Sequence, residues 1–243
     1  MPVASTSTFT VARMMGREIE ITERDAQGEG SSLVVRSAGK GAARGSLRGA
    51  ARLQPTEDLD TFLDAAALLR DHRDIALLLV GDGVEKQRLQ ARAAREHLDN
   101  VRFMPFVPAE AYPEVVASAD VCLVSLQKSL RCPVVPAKLL GYMAAGRAIV
   151  ASFPEGGDAP KLVREARCGI SVPAGHPKDL AAAILEASRN PEVCRTWGER
   201  GRAFAVERHD REKVMSLYES LFGQLARATV PPAWSPTRIA TRR

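Results

Sequence analysis

Short apolar runs alternate with helix-like segments along most of this chain, and this alternation restricts the fold more than any other feature. The predicted strands are Ile75–Val80, Val101–Phe106, Val121–Leu126, Ile149–Ala151 and Gly169–Val172, and most of them are continuously apolar. A strand that is apolar at successive positions is typical of a parallel sheet covered on both faces. Strict alternation of such strands with helices predicts an α/β fold with a doubly wound parallel sheet and right-handed crossovers.

Helices are predicted between these strands from apolar positions that repeat with a helical period and from capping residues at the ends. The predicted helices cover residues 56–70, 84–96, 108–118, 137–145, 160–166, 177–189, 191–207 and 211–225. We expect residues 52–227 to fold as one Rossmann-like domain. Residues 228–243 are rich in proline and arginine, which predicts a flexible tail.

Residues 133–152 are predicted to form a loop, a helix and a strand, and the start of this helix is a possible binding site for a phosphate. Pro136 suits the first turn of a helix, and Gly146 is typical of the residue that follows a helix end. Lys138 lies in the predicted first turn, where free backbone N–H groups and the ammonium together favour an anionic phosphate. Spacing alone favours the alternative, which is an ordinary αβ unit with Lys138 facing solvent.

Several turns directly follow predicted strands. They are Gly81–Gly83 with Asp82 between the glycines, Val107, Pro136–Lys138 and Gly156-Gly157. Because ligands of doubly wound sheets bind beyond the carboxyl ends of the strands, we expect these turns to line one edge of the sheet. Each glycine motif is short, and taken alone it is equally typical of a tight connection.

The composition is that of an ordinary globular protein, since 45% of the 243 residues are hydrophobic and 26% are charged. No apolar run reaches the roughly 20 residues of a membrane-spanning helix, and the N-terminus lacks the apolar segment of a secretion signal. We therefore expect a cytoplasmic protein. The four cysteines and four histidines are not spaced as metal ligands, so no metal site is predicted.

Residues 1–51 differ from the rest of the chain. After two strand-like segments, Ile19–Thr22 and Leu33–Arg36, a glycine-rich stretch carries a basic residue at every fourth position as far as Arg52. On a helix these residues would form one basic stripe, but each interleaved glycine costs about 1 kcal/mol there. A poorly ordered basic arm is predicted instead, and peripheral contact with an anionic membrane stays open. Nucleic acid is not an expected partner, because aromatic residues are not interleaved with the arginines.

Four segments of the chain, taken in order, resemble the C-terminal half of GT-B glycosyltransferases of the family-4-like group. They are DLDTFLDAAALLRDHRDIALLLVGDGVEKQRL, LDNVRFMPFVPAEAYPEVVASADVCLVSL, PAKLLGYMAAGRAIVAS and GGDAPKLVREARCGISVPAGHPKDLAAAI. The resemblance extends over about Arg52–His209, and the succession of the segments is specific where each alone is not. It implies a Rossmann-like domain that binds the nucleotide of an activated sugar.

The resemblance also implies roles for particular residues. The base of a UDP- or GDP-sugar donor is expected near Phe106 and Val107, and the diphosphate near the helix that begins at Pro136; no separate cofactor is expected. Arg52 and Lys138 are the expected catalytic residues, because they would neutralise charge on the leaving diphosphate. The donor-binding residues expected from the resemblance are Gly81, Asp82, Gly83, Phe106, Val107, Pro136, Ala137, Lys138, Leu139, Gly141, Gly156 and Gly157.

Several positions depart from the pattern of the family. Pro133 and Gly141 stand where relatives commonly carry two glutamates, the second of which holds the ribose of the donor. Glu57 stands where relatives carry a lysine for the diphosphate, and an acid there repels phosphate. Ala137 stands where some relatives have a serine.

Two functions are compatible with the resemblance and its departures. One is a glycosyltransferase, or its donor-binding half, that transfers a sugar from a nucleotide-diphosphate sugar with retention at the anomeric carbon. The other is a truncated, inactive remnant that acts at most as a nucleotide-binding or interaction module. GT-B enzymes need a second Rossmann-like domain, so we expect the acceptor site on a separate domain or subunit.

Overall fold

The computed structural model describes residues 57–106, 112–131 and 134–227, together with the backbone of three N-terminal strands. The chain divides into two compact units, Met1–Val206 and Glu207–Arg243. The first unit contains the sheets and the helices that cover them. The boundaries at residues 52 and 227 that the sequence suggested for the Rossmann-like domain stay a prediction.

Three short strands come first, and strands and helices then alternate as predicted. The N-terminal strands are β1 (Phe9–Met14), β2 (Ile19–Ile21) and β3 (Val35–Ser37). They are followed by α1 (Leu59–Leu68), β4 (Ile75–Val80), α2 (Lys86–Arg95), β5 (Val101–Met104), α3 (Tyr112–Ser118), β6 (Val121–Ser125), α4 (Ala137–Ala144), β7 (Ala148–Phe153), α5 (Asp158–Ala166), β8 (Gly169–Pro173), α6 (Pro177–Arg189), α7 (Pro191–Arg208) and α8 (Arg211–Arg227).

Six of the strands form one sheet in the order β5-β4-β1-β6-β7-β8. β4 is parallel to β5, and β6, β7 and β8 are parallel to one another. When the six strands are numbered along the chain, this order is the 3-2-1-4-5-6 order of a Rossmann-like sheet, which confirms the predicted fold class. The order reverses between β1 and β6, and ligands of such sheets bind outside the carboxyl ends of the strands near that point.

The strand β1 is the element in which the structure differs most from the sequence analysis. It lies in the middle of the sheet and pairs antiparallel with both β4 and β6, so that Val11 is opposite Leu78 on one side and Cys122 on the other. From the sequence alone, residues 1–51 are predicted to form an arm outside an all-parallel sheet. Thr10 and Val11 are β-branched and favour a strand, but their pairing with distant strands leaves no mark in the local sequence. The two predicted strands of the arm are β2 and β3, which pair as a separate two-stranded sheet.

Alternate residues of the central strands point to opposite faces of the sheet, and both faces are covered by helices. One face packs Leu78, Cys122 and Ile149 against residues of α3, α4 and α5. The other packs Leu77 and Leu123 against residues of α1, α2 and α6. Coverage on both sides explains why these strands are apolar at successive positions.

The helix α8, in the second unit, carries a row of exposed apolar side chains. They are Met215, Leu217, Tyr218, Leu221, Phe222 and Leu225. Charged residues such as Glu212 and Glu219 share the same helix, so it is amphipathic rather than apolar on all sides. Within the described part of the chain, no helix combines the length and apolarity needed to cross a membrane.

Candidate functional site

A cavity of about 680 Å³ lies at the carboxyl ends of β6, β7 and β8. Its lining residues come from the three turns that follow these strands, from the last residues of β7 and β8, and from the first turn of α5. Lys128 and Arg131 follow β6, Gly156 and Gly157 follow β7, and His176 follows β8. The cavity therefore occupies the edge at which the sequence predicted a ligand, on the β6 side of the point where the strand order reverses.

Gly156 and Gly157 form the part of this cavity that the sequence predicted. Gly156 has φ of 81°, in the left-handed region that favours glycine, and no atom lies within 4 Å of where its Cβ would be. Gly157 precedes the first residue of α5, and no side chain caps this end of the helix. The turn thus presents open backbone and the N-terminus of α5 at the cavity, and both suit an anion.

The sequence pattern predicts no role for Lys128 and Arg131, although both lie shortly after the predicted strand that ends at Leu126. Both residues are exposed and line the cavity. The acidic residue Glu155 lines it as well. His176, which spacing gave no role, lines the cavity as well and contacts Asp179 at 3.2 Å. A basic pair directly after a buried strand was the available signal for this part of the site.

The N-terminus of α4 holds the second group of predicted residues. Pro136 is extended and caps the helix, and Ala137 is exposed in its first turn. Leu139 is fully buried in the core, and its N–H donates to the carbonyl oxygen of Pro136, so the structure gives this residue a packing role. The predicted residues of α4 do not line the cavity, whereas Val134, two residues before Pro136, does.

Lys138 forms an ion pair with Glu57, the residue directly before the N-cap of α1. The side chains are 16% and 7% exposed, respectively, so the pair is largely removed from solvent. Burial lowers the pKa of the Lys138 ammonium to about 7. The adjacent Glu57 carboxylate acts in the opposite direction, because a nearby negative charge favours the ammonium. The alternative of a solvated Lys138 is therefore wrong.

The turn Gly81–Gly83 follows β4 at the same edge of the sheet. The N–H of Gly81 donates to the carbonyl oxygen of Met104 at 3.2 Å, which ties the turn to β5. Asp82 is mostly exposed and its carboxylate lies 3.5 Å from the ammonium of Lys86. Phe106, just after β5, is 41% exposed, as a platform for a planar group would be. The predicted site residues Arg52 and Val107 lie outside the described residues.

The part of the chain that contains the candidate site matches a known protein family. The family described as "Glycosyl transferases group 1" matches residues 48–190, more than half of the chain. The chain belongs to this family. The matched residues include α1 and the turns that follow β4, β5, β6, β7 and β8. They therefore include all the described residues of the candidate site.

Individual relatives agree with the family assignment. The chain is 27% identical over 151 residues to an uncharacterised glycosyltransferase of Methanocaldococcus jannaschii, covering 62% of the chain and 37% of the relative. It is 26% identical over 154 residues to N-acetyl-alpha-D-glucosaminyl L-malate synthase of Bacillus anthracis, covering 63% of the chain and 39% of the relative. The chain thus spans well under half the length of these relatives.

Solved structures show the same fold. The crystal structure of HepE from Anabaena in complex with UDP superposes with a TM-score of 0.59 at 24% identity, over 73% of this chain and 47% of HepE. This likeness supports the GT-B Rossmann-like fold of the domain.

Gly141, where the resemblance led us to expect a glutamate, faces the side chain of Tyr112. A Cβ added at Gly141 would lie 3.1 Å from the Tyr112 hydroxyl oxygen. Burial raises the pKa of this phenol well above its usual range, so it stays a neutral hydrogen-bonding group. The space next to α4 that a longer side chain would need is therefore taken by a tyrosine from α3.

We expect that Gly141→Glu destabilises the domain instead of improving the site. The Glu side chain would have to displace Tyr112 from its packed position, at a cost of about 1–3 kcal/mol that is typical of overpacking. Thermal unfolding followed by circular dichroism would measure the effect, with Gly141→Ala as the matched control. The alanine needs only a small shift of the tyrosine, so its melting temperature should stay close to that of the native protein. A glutamate variant that melts like the alanine variant would contradict this packing.

Proposed function

We propose that this chain binds a nucleotide-diphosphate sugar and serves as the donor-binding half of a glycosyltransferase. The observation that carries the proposal is the convergence of basic and helix-terminal groups at one edge of the sheet. Lys128 and Arg131 line a cavity beside the N-terminus of α5, and Lys138 lies in the first turn of α4. Cationic side chains and helix N-termini together provide the charge-assisted contacts that a diphosphate needs.

The donor would lie along the carboxyl ends of the strands. In this proposal, the phosphate that is bonded to the sugar lies near the backbone of Gly156 and Gly157 and near the side chains of Lys128 and Arg131. Lys138 also approaches the diphosphate, from the first turn of α4. The base would lie near Phe106, next to the turn after β4. The presence of UDP in the HepE structure makes a uridine donor the first to test.

In the proposed reaction, the oxygen of an acceptor hydroxyl forms a bond to the anomeric carbon, the bond from that carbon to the diphosphate oxygen breaks, and the hydroxyl proton passes to the leaving diphosphate. Negative charge develops on the leaving diphosphate, and the cationic side chains of Lys138 and Arg52 would stabilise it. The proposed outcome is retention at the anomeric carbon. We propose that the acceptor is bound by the part of the GT-B architecture that lies beyond the length spanned by this chain.

A second candidate function is an inactive remnant that binds other molecules without transferring sugar. Two observations favour it, namely the ion pair of Glu57 with Lys138 and the tyrosine packed over Gly141. By the resemblance, Glu57 stands in place of a lysine and Gly141 in place of a glutamate that would bind the donor. Absence of UDP and GDP binding by the native protein would favour this candidate over a donor-binding domain.

Replacing Lys138 with alanine tests the proposed donor site. Calorimetric titration with UDP should show binding by the native protein and a dissociation constant roughly 10- to 100-fold higher in Lys138→Ala, the loss that follows from removing one charge-assisted contact. Lys178→Ala is the matched control, since Lys178 is an exposed lysine in the first turn of α6 at the same edge of the sheet. Equal loss in both variants would show that Lys138 has no specific role.

A further inference from the structure

The Glu57–Lys138 pair joins two helix N-termini at the carboxyl edge of the sheet. Glu57 precedes α1, and Lys138 lies in the first turn of α4. Their side chains are in direct contact and both are largely shielded from solvent. The ammonium that the proposed function offers to a diphosphate is thus already matched by an anion of the protein itself.

Neighbouring hydrogen bonds hold Glu57 in this position. The N–H of Asp58 donates to the hydroxyl oxygen of Ser125, at the end of β6, with a distance of 3.1 Å. The Asp58 carboxylate caps α1 by accepting from the N–H of Thr61 at 3.2 Å and from its hydroxyl at 2.7 Å. Because the next residue is bound to the end of a central strand, the position of Glu57 is set by the fold.

We propose that Glu57 is an internal competitor that occupies the diphosphate-binding cation Lys138, so that donor binding requires this ion pair to be broken. The inference rests on the proposed donor-binding function and names the residue that determines how tightly the site binds a diphosphate. Glu57 and a phosphate oxygen would then be two anions beside one cation. Their mutual repulsion is strong because the space is poorly solvated.

The energetics of buried ion pairs explain why the effect should be large. A buried charge that loses its partner is costly, so displacing Glu57 consumes part of the interaction that the diphosphate gains. Glutamine at position 57 keeps the size of the side chain and can still accept a hydrogen bond from Lys138, but it removes the negative charge. The substitution should therefore release the ammonium for a phosphate while retaining the local packing.

The experiment is a calorimetric titration of the full chain with UDP and separately with GDP. Titrations at about pH 6 keep Lys138 charged, since burial lowers its pKa to about 7. Glu57→Gln should bind UDP roughly 10- to 100-fold more tightly than the native protein. Uridine, which lacks the diphosphate, should bind both proteins equally.

Asp60→Asn provides the matched control. Asp60 is also an acid at the start of α1, but its carboxylate pairs with Arg88 and Arg92 instead of Lys138. The hydrogen bond from Arg88 holds the pKa of Asp60 below its usual range, so this control also removes one full negative charge. Its affinity for UDP should stay within about twofold of the native value, because general charge repulsion is screened in the buffer.

The outcomes separate this inference from the function on which it rests. The inference is supported if Glu57→Gln binds UDP more tightly than the native protein and Asp60→Asn does not. If the native protein binds UDP and Glu57→Gln binds it equally well or more weakly, the inference is overturned and the donor-binding function stands. Absence of UDP and GDP binding in every variant overturns both. If circular dichroism shows that Glu57→Gln does not fold, Glu57→Ser, which leaves room for water beside Lys138, takes its place with the same expected result.

Discussion

Replacing Gly198 with alanine should destabilise the domain by about 2 kcal/mol, although alanine is the better helix former. Gly198 lies in α7 where its Cβ would be 2.2 Å from the carbonyl oxygen of Gly146 and 2.8 Å from the carbonyl carbon. Both atoms belong to the backbone, so no rotamer change relieves the contact and the two elements must separate. The gain in helix propensity is about 1 kcal/mol, and the cost of overpacking against backbone exceeds it.

This contact matters for the candidate site because Gly146 directly follows α4, the helix that carries Lys138. In a domain of this size, a loss of about 2 kcal/mol lowers the melting temperature by roughly 4–8 °C. The matched control is Gly223→Ala in α8, where no atom lies within 4 Å of the added Cβ. The control should melt at or above the native temperature. A Gly198→Ala protein that is as stable as this control would show that α7 does not pack closely on the turn after α4.

Most of the α/β elements could be predicted from sequence because their signals are local. The strand Ile75–Val80 and the helix Pro177–Arg189 begin and end at the predicted residues. In both cases the apolar pattern lies within the element and the turn residues that bound it directly adjoin it, so the signal is local. The doubly wound arrangement followed because a buried parallel sheet imposes the same pattern on every strand.

The central strand β1 could not be predicted in the same way. Nothing within Phe9–Met14 indicates which strands it pairs with, and both partners, β4 and β6, lie far away along the chain. The segment directly before α1 is rich in glycine and arginine and lacks the apolar run that would make a parallel first strand. The middle position of the sheet is filled from a distant segment, which runs in the opposite direction.

The candidate site was predicted in part for a similar reason. Gly156 and Gly157 were found because a turn after a strand has a local signature, and the structure places both at the cavity. The sequence also indicated that Glu57 would oppose a diphosphate. Its direct contact with Lys138 depends on how α1 and α4 approach each other, a tertiary fact with no local signal.

Replacing Val11 with proline should lower the stability of the protein more than either Gly141→Glu or Gly198→Ala. Val11 lies in the middle of β1 with a partner strand on each side, opposite Leu78 in β4 and Cys122 in β6. Proline lacks the N–H that a central strand donates to a neighbour, and its ring is tolerated only at strand edges or bulges. We expect a loss of about 3 kcal/mol or more, a large share of the 5–15 kcal/mol that stabilises a typical domain.

Urea unfolding followed by circular dichroism would measure this loss, and Glu20→Pro supplies the matched control. Glu20 lies in β2, whose partner is β3 in the separate two-stranded sheet. Because that sheet shares no strand with the central one, the control should keep the native unfolding midpoint while Val11→Pro lowers it or prevents folding. Equal midpoints for both proline variants would mean that the six-stranded sheet does not depend on β1. In that case β4 and β6 would have to satisfy their facing backbone groups in another way, because unpaired buried N–H and carbonyl groups are too costly to persist.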